Sequence, residues 1–375
     1  MPVYPCPEDR DFFMIDKSQT EKMMAHALRL AARGIGYTSP NPVVGCIIAK
    51  NDNIIAKDYH HKVGQPHAEV LALKKAGSAA KGAEMYVTLE PCCCYGRTPP
   101  CTKAIIEAGI KKIVIGALDP NPDVNGKGVR ELQKAGIGVI SGVLKERCLD
   151  INKMYNKYIT TGLPFVTLKF AQSLDGRIAS KSGSSRWISS ENSLKFAHKL
   201  RAEHDAVLIG SNTANLDNPQ LTVRRVKGNN PTKIILTKSG RILSSLDLLS
   251  DNSAPIIIAT SHKGSSNCKS KSYANIEIMT LPVKSDGLDL KSLLCKLAER
   301  GVVSLLIEGG AGVITSFLKQ KLADRIIVIT APIIIGKGIS GIGDLGIKDI
   351  SQSISLSNLK HKKIGSDHVY FGDLR

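Results

Sequence analysis

Apolar positions along roughly the first 160 residues alternate between two periods. Met24, Ala27, Leu28 and Ala31 fall three and four apart, the spacing of one helix face, and Ser18 with Glu21 makes a capping box that opens this helix. Gly34 closes it. Val43 to Ala49 and Met85 to Leu89 are short, nearly continuous apolar runs, which suit strands buried on both faces. A helix is predicted between them from about His67 to Ala76, stopped by Gly77. A helix from about Cys101 to Ala108, a strand at Ile113 to Gly116 and a helix from Val129 to Ala135 follow, with Gly109 and Gly136 as helix stops. This alternation predicts a three-layer α/β domain.

The pattern then restarts. Ile151 to Leu163 is polar, contains tyrosines and closes on Gly162-Leu163-Pro164, so a boundary is expected near residue 163. This divides the chain into an N-terminal arm, 1–17, a first domain, 18–163, and a second domain, 164–375. The second domain opens with a strand at Phe165 to Ala171 and a helix near Ser190 to Ala202. Strands at Ala206 to Gly210, Lys233 to Thr237, Pro255 to Ala259 and Ser304 to Ile307 precede a helix from about Gly312. Strands near Arg325 to Thr330 and His368 to Phe371 end the chain, and the Ser-, Lys- and Asn-rich stretch Ser244 to Ser272 is expected to form surface loops.

Composition narrows the partners. At about 150 residues per domain, 375 residues suit two domains, and 42% apolar with 22% charged residues is ordinary for a folded, water-exposed protein. The densest apolar stretch, Ile326 to Ile335, is broken by Pro332 and far short of the roughly 20 residues a membrane helix needs. Glu8, Asp9, Asp11 and Asp16 surround a Phe-Phe-Met-Ile patch, unlike a secretion signal, which makes cytoplasm the expected location. The formal charge is +18, divided as +6 before residue 163 and +12 after it. Such an excess invites a nucleic-acid reading. Against it, no block of five like charges exists and aromatics make up only 5%, whereas a spread positive field attracts small phosphorylated substrates equally well.

Nine cysteines is an odd number, and four of them crowd into Pro91 to Cys101, a distribution suited to metal or catalytic chemistry in a reducing compartment. Pro66-His67-Ala68-Glu69 opens one helix, a strand runs into Glu90-Pro91-Cys92, and Cys101 begins the next helix. One imidazole and two thiolates make three zinc ligands, His67, Cys92 and Cys101, and leave a fourth tetrahedral position open for water. Glu69, two residues after His67, reaches that water without being a ligand and would carry its proton to departing ammonia. A lone histidine is usually a surface or core residue, and a structural zinc knuckle would need a fourth protein ligand. Neither alternative explains Glu69.

Several segments together carry a family likeness: Pro40-Asn41-Pro42-Val43-Val44-Gly45, Pro66 to Glu69, Gly96-Arg97-Thr98-Pro99-Pro100-Cys101 and Asp119-Pro120-Asn121-Pro122. Lys169 to Ala179, Ser185-Arg186-Trp187-Ile188, Arg201-Ala202-Glu203, Thr213 to Pro219, Leu221 to Arg224 and Glu308-Gly309-Gly310 extend it to the second half. On these residues the chain resembles the bifunctional riboflavin-biosynthesis deaminase/reductase family, RibD type, from about residue 18 to 371. The resemblance implies a cytidine-deaminase-like three-layer domain followed by a dihydrofolate-reductase-like α/β domain, with Zn²⁺ and NADPH as cofactors. It implies that Asn41 lies against the pyrimidine ring and that Arg97 meets the ribose phosphate. NADPH contacts would come from Ala171, Trp187, Thr213, Asp217, Gly310, Ala311, Gly312, Val313, Ile314, Thr315 and Ser316. Substrate contacts would come from Ser185, Arg201, Leu221, Arg224 and Glu308, with Arg201 and Arg224 suited to forked phosphate binding. The chain departs from the family at Cys93 and Cys94, where relatives usually carry Ser-His, with the histidine facing substrate.

The reaction implied is hydrolysis of the 2-amino group of 2,5-diamino-6-(5-phosphoribosylamino)pyrimidinone to a carbonyl, then hydride transfer from NADPH to ribose C1′, after ring opening, to give the ribityl chain. The expected partner is a small phosphorylated pyrimidine, with no nucleic acid, no membrane and room for a homo-oligomer. Two rivals remain: a nucleic-acid deaminase gripping RNA with its basic half, and a reductase whose zinc domain is only structural.

Overall fold

The structure is a computed structural model that describes residues 19–96, 99–268 and 275–374. The arm at 1–17, the capping Ser18 and Arg97 lie outside the described residues. The chain divides into two compact units, with Gly162 in the first and Leu163 in the second.

The first unit comprises α1 (Gln19–Ala31), β1 (Gly45–Lys50), β2 (Asn53–Tyr59), α2 (Ala68–Ala76), β3 (Glu84–Leu89), α3 (Cys101–Glu107) and β4 (Lys112–Ala117). It continues with α4 (Lys127–Lys134), β5 (Gly138–Ser141), α5 (Lys145–Ile151) and α6 (Lys153–Thr161). Its sheet has the order β2-β1-β3-β4-β5, antiparallel across β2, β1 and β3 and parallel from β3 to β5. Successive residues of a strand face opposite sides, so both faces of the apolar runs are used. Ile47, Ala49, Tyr86 and Val114 pack with Met24, Leu28 and Cys148 on one side, while Ile48, Met85, Val87 and Ile115 pack with Ala68, Ala72 and Ile105 on the other. These are the three layers that the alternating periods predict.

Four elements of this unit, β2, β5, α5 and α6, fall outside the predicted pattern. β2 is half exposed and carries Lys57 and Asp58, so no continuous apolar run marks it. The polar stretch before residue 163 is helical: α6 buries Tyr155 and ends at Gly162, whose φ is +68°.

The second unit comprises β6 (Phe165–Ser173), β7 (Arg177–Ser180), α7 (Glu191–Glu203), β8 (Ala206–Gly210), α8 (Ser211–Asp217), β9 (Thr232–Thr237), α9 (Asp247–Ser250), β10 (Ile256–Ser261) and α10 (His262–Ser265). There follow β11 (Ile276–Leu281), β12 (Val283–Lys284), β13 (Gly287–Leu288), α11 (Leu290–Ala298), β14 (Ser304–Ile307) and α12 (Ala311–Lys319). β15 (Arg325–Ala331), β16 (Gly338–Ser340), β17 (Leu356–Ile364) and β18 (Asp367–Leu374) complete it. The main sheet runs β11-β10-β9-β8-β14-β6-β15-β18-β17, parallel from β11 through β15 and antiparallel across the last three strands. The stretch expected as surface loops holds α9 and α10 besides the predicted strand β10, and Leu248, Leu249 and Cys268 in it are buried.

One close approach sets the first unit's geometry. A Cβ at Gly45 would stand 2.0 Å from the carbonyl oxygen of Ala27 and 2.8 Å from the Ala31 nitrogen, so α1 rests directly on the β1 backbone. Gly45→Ala is expected to push α1 off the sheet and destabilise the first unit by about 1–3 kcal/mol, as overpacking does. Urea unfolding followed by circular dichroism measures the shift.

Candidate functional site

Three local features bring the predicted metal ligands together. His67 caps the start of α2 from an extended backbone conformation, Cys92 follows the end of β3, and Cys101 is the first residue of α3. The His67 Nδ1 stands 3.2 Å from Cys101 Sγ and 3.5 Å from Cys92 Sγ, and all three donor atoms lie within 4.8 Å of one another. The backbone N–H of Cys101 donates to Cys92 Sγ at 3.4 Å. The Cys92 thiol is held down at about 4, first by the hydrogen bond from Cys101 and then by His67, against the effect of burial. A thiolate at a helix start is the form a metal binds.

Glu69 lies in the first turn of α2 and is 3% exposed. Burial pushes its carboxyl up to about 7, and Oε2 has no hydrogen-bond partner. One soft imidazole-dithiolate set and one orphaned carboxylate oxygen fit zinc with three protein ligands and a position left for water. Cys93 and Cys94 stand outside this set. Their sulfurs are 3.8 Å apart, and Cys94 Sγ donates to the Asp123 carbonyl at 3.3 Å.

The site opens into a cavity of about 480 Å³ whose walls include Asn41, His60, Cys94, Asp119 and Tyr155. His60 was not legible as a site residue. Its Nδ1 lies 3.3 Å from the Pro66 carbonyl and its Nε2 lies 3.2 Å from Asn41 Nδ2, while its ring meets that of His67 edge-on. Burial keeps its pKa below the usual histidine value. The neutral ring therefore donates from Nδ1 and accepts from the Asn41 amide, fixing the side chain expected to read the pyrimidine. Tyr155 of α6 donates to Asp119 Oδ1 at 3.0 Å, and burial pushes the Asp119 carboxyl up to about 6.

In the second unit a cleft of about 590 Å³ runs along the carboxyl ends of β6, β14, β8 and β9. Among the residues expected at NADPH, Ala171, Thr213, Asp217, Gly310 to Val313 and Ser316 line it. Gly310 caps α12 without any side-chain cap, and a Cβ at Gly312 would meet nothing within 4 Å. An uncapped helix start facing open space fits a pyrophosphate. Ile314 and Thr315 turn inward instead: Ile314 is fully buried, and Thr315 Oγ1 donates to the Ala311 carbonyl and accepts from the Gly343 N–H. Trp187 is 66% exposed and lies outside the lining, with the Arg186 guanidinium 5.8 Å from its ring centre.

The expected substrate residues divide likewise. Ser185 and Glu308 line the cleft, and Ser185 Oγ donates to Asp217 Oδ1 at 3.1 Å. The Arg201 fork is already engaged, donating to Glu308 at 2.9 and 2.7 Å and to the Thr222 carbonyl at 3.2 Å. Its expected role as a phosphate fork therefore yields to the holding of Glu308. Arg224 remains exposed with one bond to Thr222, and the Leu221 side chain is buried, leaving only its backbone to offer. Lys169, in the cleft beside Glu308, is drawn below the ordinary lysine value by burial.

The family model described as the RibD C-terminal domain matches residues 164–370, and that of the cytidine and deoxycytidylate deaminase zinc-binding region matches residues 17–117. The riboflavin biosynthesis protein RibD of Aquifex aeolicus is 47% identical over 349 residues, covering 93% of this chain and 96% of its own length. That of Escherichia coli is 35% identical over 364 residues, covering 93% and 98%. The crystal structure of a diaminohydroxyphosphoribosylaminopyrimidine deaminase/5-amino-6-(5-phosphoribosylamino)uracil reductase from Thermotoga maritima superposes with a TM-score of 0.83 at 35% identity, covering 95% of this chain and 99% of that one. RibD of Acinetobacter baumannii gives 0.84 at 35% identity with the same coverage.

Metal analysis checks the ligand set: Cys92→Ser and Cys101→Ser are expected to lose zinc, whereas Glu69→Gln, Cys93→Ser and Cys94→Ser retain it. A second expectation concerns Glu308. Burial would raise its carboxyl, but Arg201 and Lys169 outweigh this and hold it at about 2. A depressed carboxylate stabilises the fold above its ordinary value of 4.5, and this is lost as pH falls toward 2. Thermal unfolding is therefore expected to show an acid loss of stability in that window that flattens in Glu308→Gln.

Proposed function

We infer from these matches that the chain belongs to the RibD family of riboflavin-biosynthesis proteins, and it is a bifunctional enzyme, a zinc-dependent deaminase joined to an NADPH-dependent reductase. It acts on a small pyrimidine substrate. The roles of individual residues, and the substrate named for the Thermotoga relative, are our proposal for this chain.

In the first unit His67, Cys92 and Cys101 would hold zinc, which makes water nucleophilic near neutral pH when bound. Asn41, steadied by His60, holds the pyrimidine against Glu69. Glu69 takes a proton from the attacking water on Oε2 and delivers it to the leaving amino group, turning the 2-amino carbon into a carbonyl and releasing ammonia. The buried, unpartnered Oε2 is the observation that carries this reading. Burial withdraws this carboxyl from bulk water.

In the second unit NADPH supplies the hydride. Gly310 to Val313 face the cleft where its phosphates would rest, and Glu308, with Lys169 beside it, faces the substrate's ribosyl. Arg224, exposed and holding one bond to Thr222, would bind the phosphate. No helix among the described residues is long and apolar enough to cross a membrane. A cytoplasmic location, the absence of nucleic-acid and membrane partners, and a homo-oligomer are part of the same proposal.

Mass spectrometry of reaction mixtures tests the function. Without NADPH the deaminated ribosyl compound accumulates, and adding NADPH converts it to the ribityl compound. Glu69→Gln abolishes the first step while reduction of supplied intermediate persists. Deamination of RNA without turnover of the pyrimidine, or reduction without any ammonia release, rejects the assignment in favour of one of the rivals.

A further inference from the structure

The loop between β3 and α3 carries Cys93 and Cys94 directly after Cys92, and both are free thiols. In an extended strand neighbouring side chains point to opposite sides, which keeps their ends apart. Here the backbone bends at Cys94, and the two sulfurs stand 3.8 Å from each other. They lie outside the candidate ligand group, which among the described residues holds only His67, Cys92 and Cys101. Cys94 is exposed and lines the deaminase cavity, and Cys93 is half-buried behind it.

Two chemistries suit a pair of touching thiols, a disulfide and a shared metal ion. Geometry separates them. The peptide between the two residues is trans, which sets neighbouring Cα atoms about 3.8 Å apart, less than the roughly 4.4–6.8 Å usual between bridged cysteines. A disulfide here would be strained. A tetrahedral ion with metal–sulfur bonds of about 2.3 Å holds two thiolates about 3.8 Å apart, which is the separation already present. A third donor stands nearby: the Asp123 carbonyl oxygen is 3.3 Å from Cys94 Sγ, against about 3.6 Å for the edge between a sulfur and an oxygen on such an ion. The Glu131 carboxylate of α4 acts on Cys93 electrostatically, so negative charge already lies beside the pair.

We propose that Cys93 and Cys94, with the Asp123 carbonyl, form a second binding site for a zinc-like divalent cation at the wall of the deaminase cavity. The inference rests on the reading of His67, Cys92 and Cys101 as the catalytic zinc ligands. Binding exchanges two S–H bonds for two metal–sulfur bonds and releases both protons to water. With only two side-chain ligands, the site holds its ion more weakly than the catalytic set does. The ion ties the turn after Cys92 to the loop that carries Asp123, two segments that both line the cavity.

Equilibrium dialysis of the full-length, zinc-loaded chain against rising free zinc tests this, with a phosphine as reductant because thiol reductants bind the ion themselves. The unaltered chain is expected to hold one ion tightly and to take up a second at higher free zinc. Cys93→Ser and Cys94→Ser are expected to keep the first ion and to weaken the second at least about 100-fold, since loss of a mere outer partner of a ligand costs about 10–100-fold. Alkylation followed peptide by peptide in a mass spectrometer locates the site. Excess zinc is expected to slow the alkylation of Cys93 and Cys94 in the unaltered chain, and no longer to protect Cys94 in Cys93→Ser. Absence of a second ion from the unaltered chain, or its equal uptake by both variants, overturns the proposal. So does loss of the first ion from Cys93→Ser, which would place Cys93 in the catalytic set. A chain that takes zinc at the pair but holds no ion tightly would instead overturn the reading of His67, Cys92 and Cys101.

Discussion

In each unit a buried carboxylate stands immediately after a strand, and the surrounding loops are arranged around the need to satisfy it. Glu90 follows β3 and is 3% exposed; it accepts backbone N–H groups from Asp119 at 3.3 Å, Gly126 at 2.9 Å and Val129 at 3.0 Å. These bonds tie the turn that delivers Cys92 to the loop between β4 and α4, which supplies Asp119 and Asn121 to the cavity wall. Glu308 follows β14 and draws the Arg201 fork of α7 against the cleft. A buried carboxylate left without such partners is unfavourable by several kcal/mol, on the order of the whole stability of a domain. The loops around both sites therefore take their positions from these two carboxylates, Glu90 by its backbone bonds alone and Glu308 while it also lines the cleft.

What could be read from the sequence is what is local. His67, Cys92 and Cys101 announce themselves because each begins a helix or ends a strand, and the apolar runs of β1, β3 and β4 are continuous because both sheet faces are covered. What could not be read depends on partners distant in the chain. Arg201 lies 107 residues from Glu308, and nothing near Arg201 reveals that its fork is engaged. His60 acts through Asn41, 19 residues before it, and its own neighbours on β2 are polar and half exposed. Ile314 and Thr315 share a motif with the cleft-facing glycines, but the turn of α12 carries them to its other side.

The Cys93-Cys94 pair is a departure from the family pattern that lies outside the candidate ligand group of His67, Cys92 and Cys101. The residues that set the metal geometry are the cap of α2, the end of β3 and the start of α3, and none of these changes when the two following side chains do. Cys94 faces the cavity but bonds to a backbone carbonyl, a weaker interaction than a ring nitrogen offers to a substrate.

Tyr155 has an implication for how the two activities can be taken apart. The stretch that looks like a tether between catalytic units is a helix whose tyrosine supports Asp119 from within the deaminase cavity. A deaminase excised just after α5 would keep its candidate metal ligands and its whole sheet, yet expose the Asp119 carboxyl to water and leave that wall of the cavity missing. The natural seam for truncation, domain exchange or fusion is consequently Gly162, after the last turn of α6.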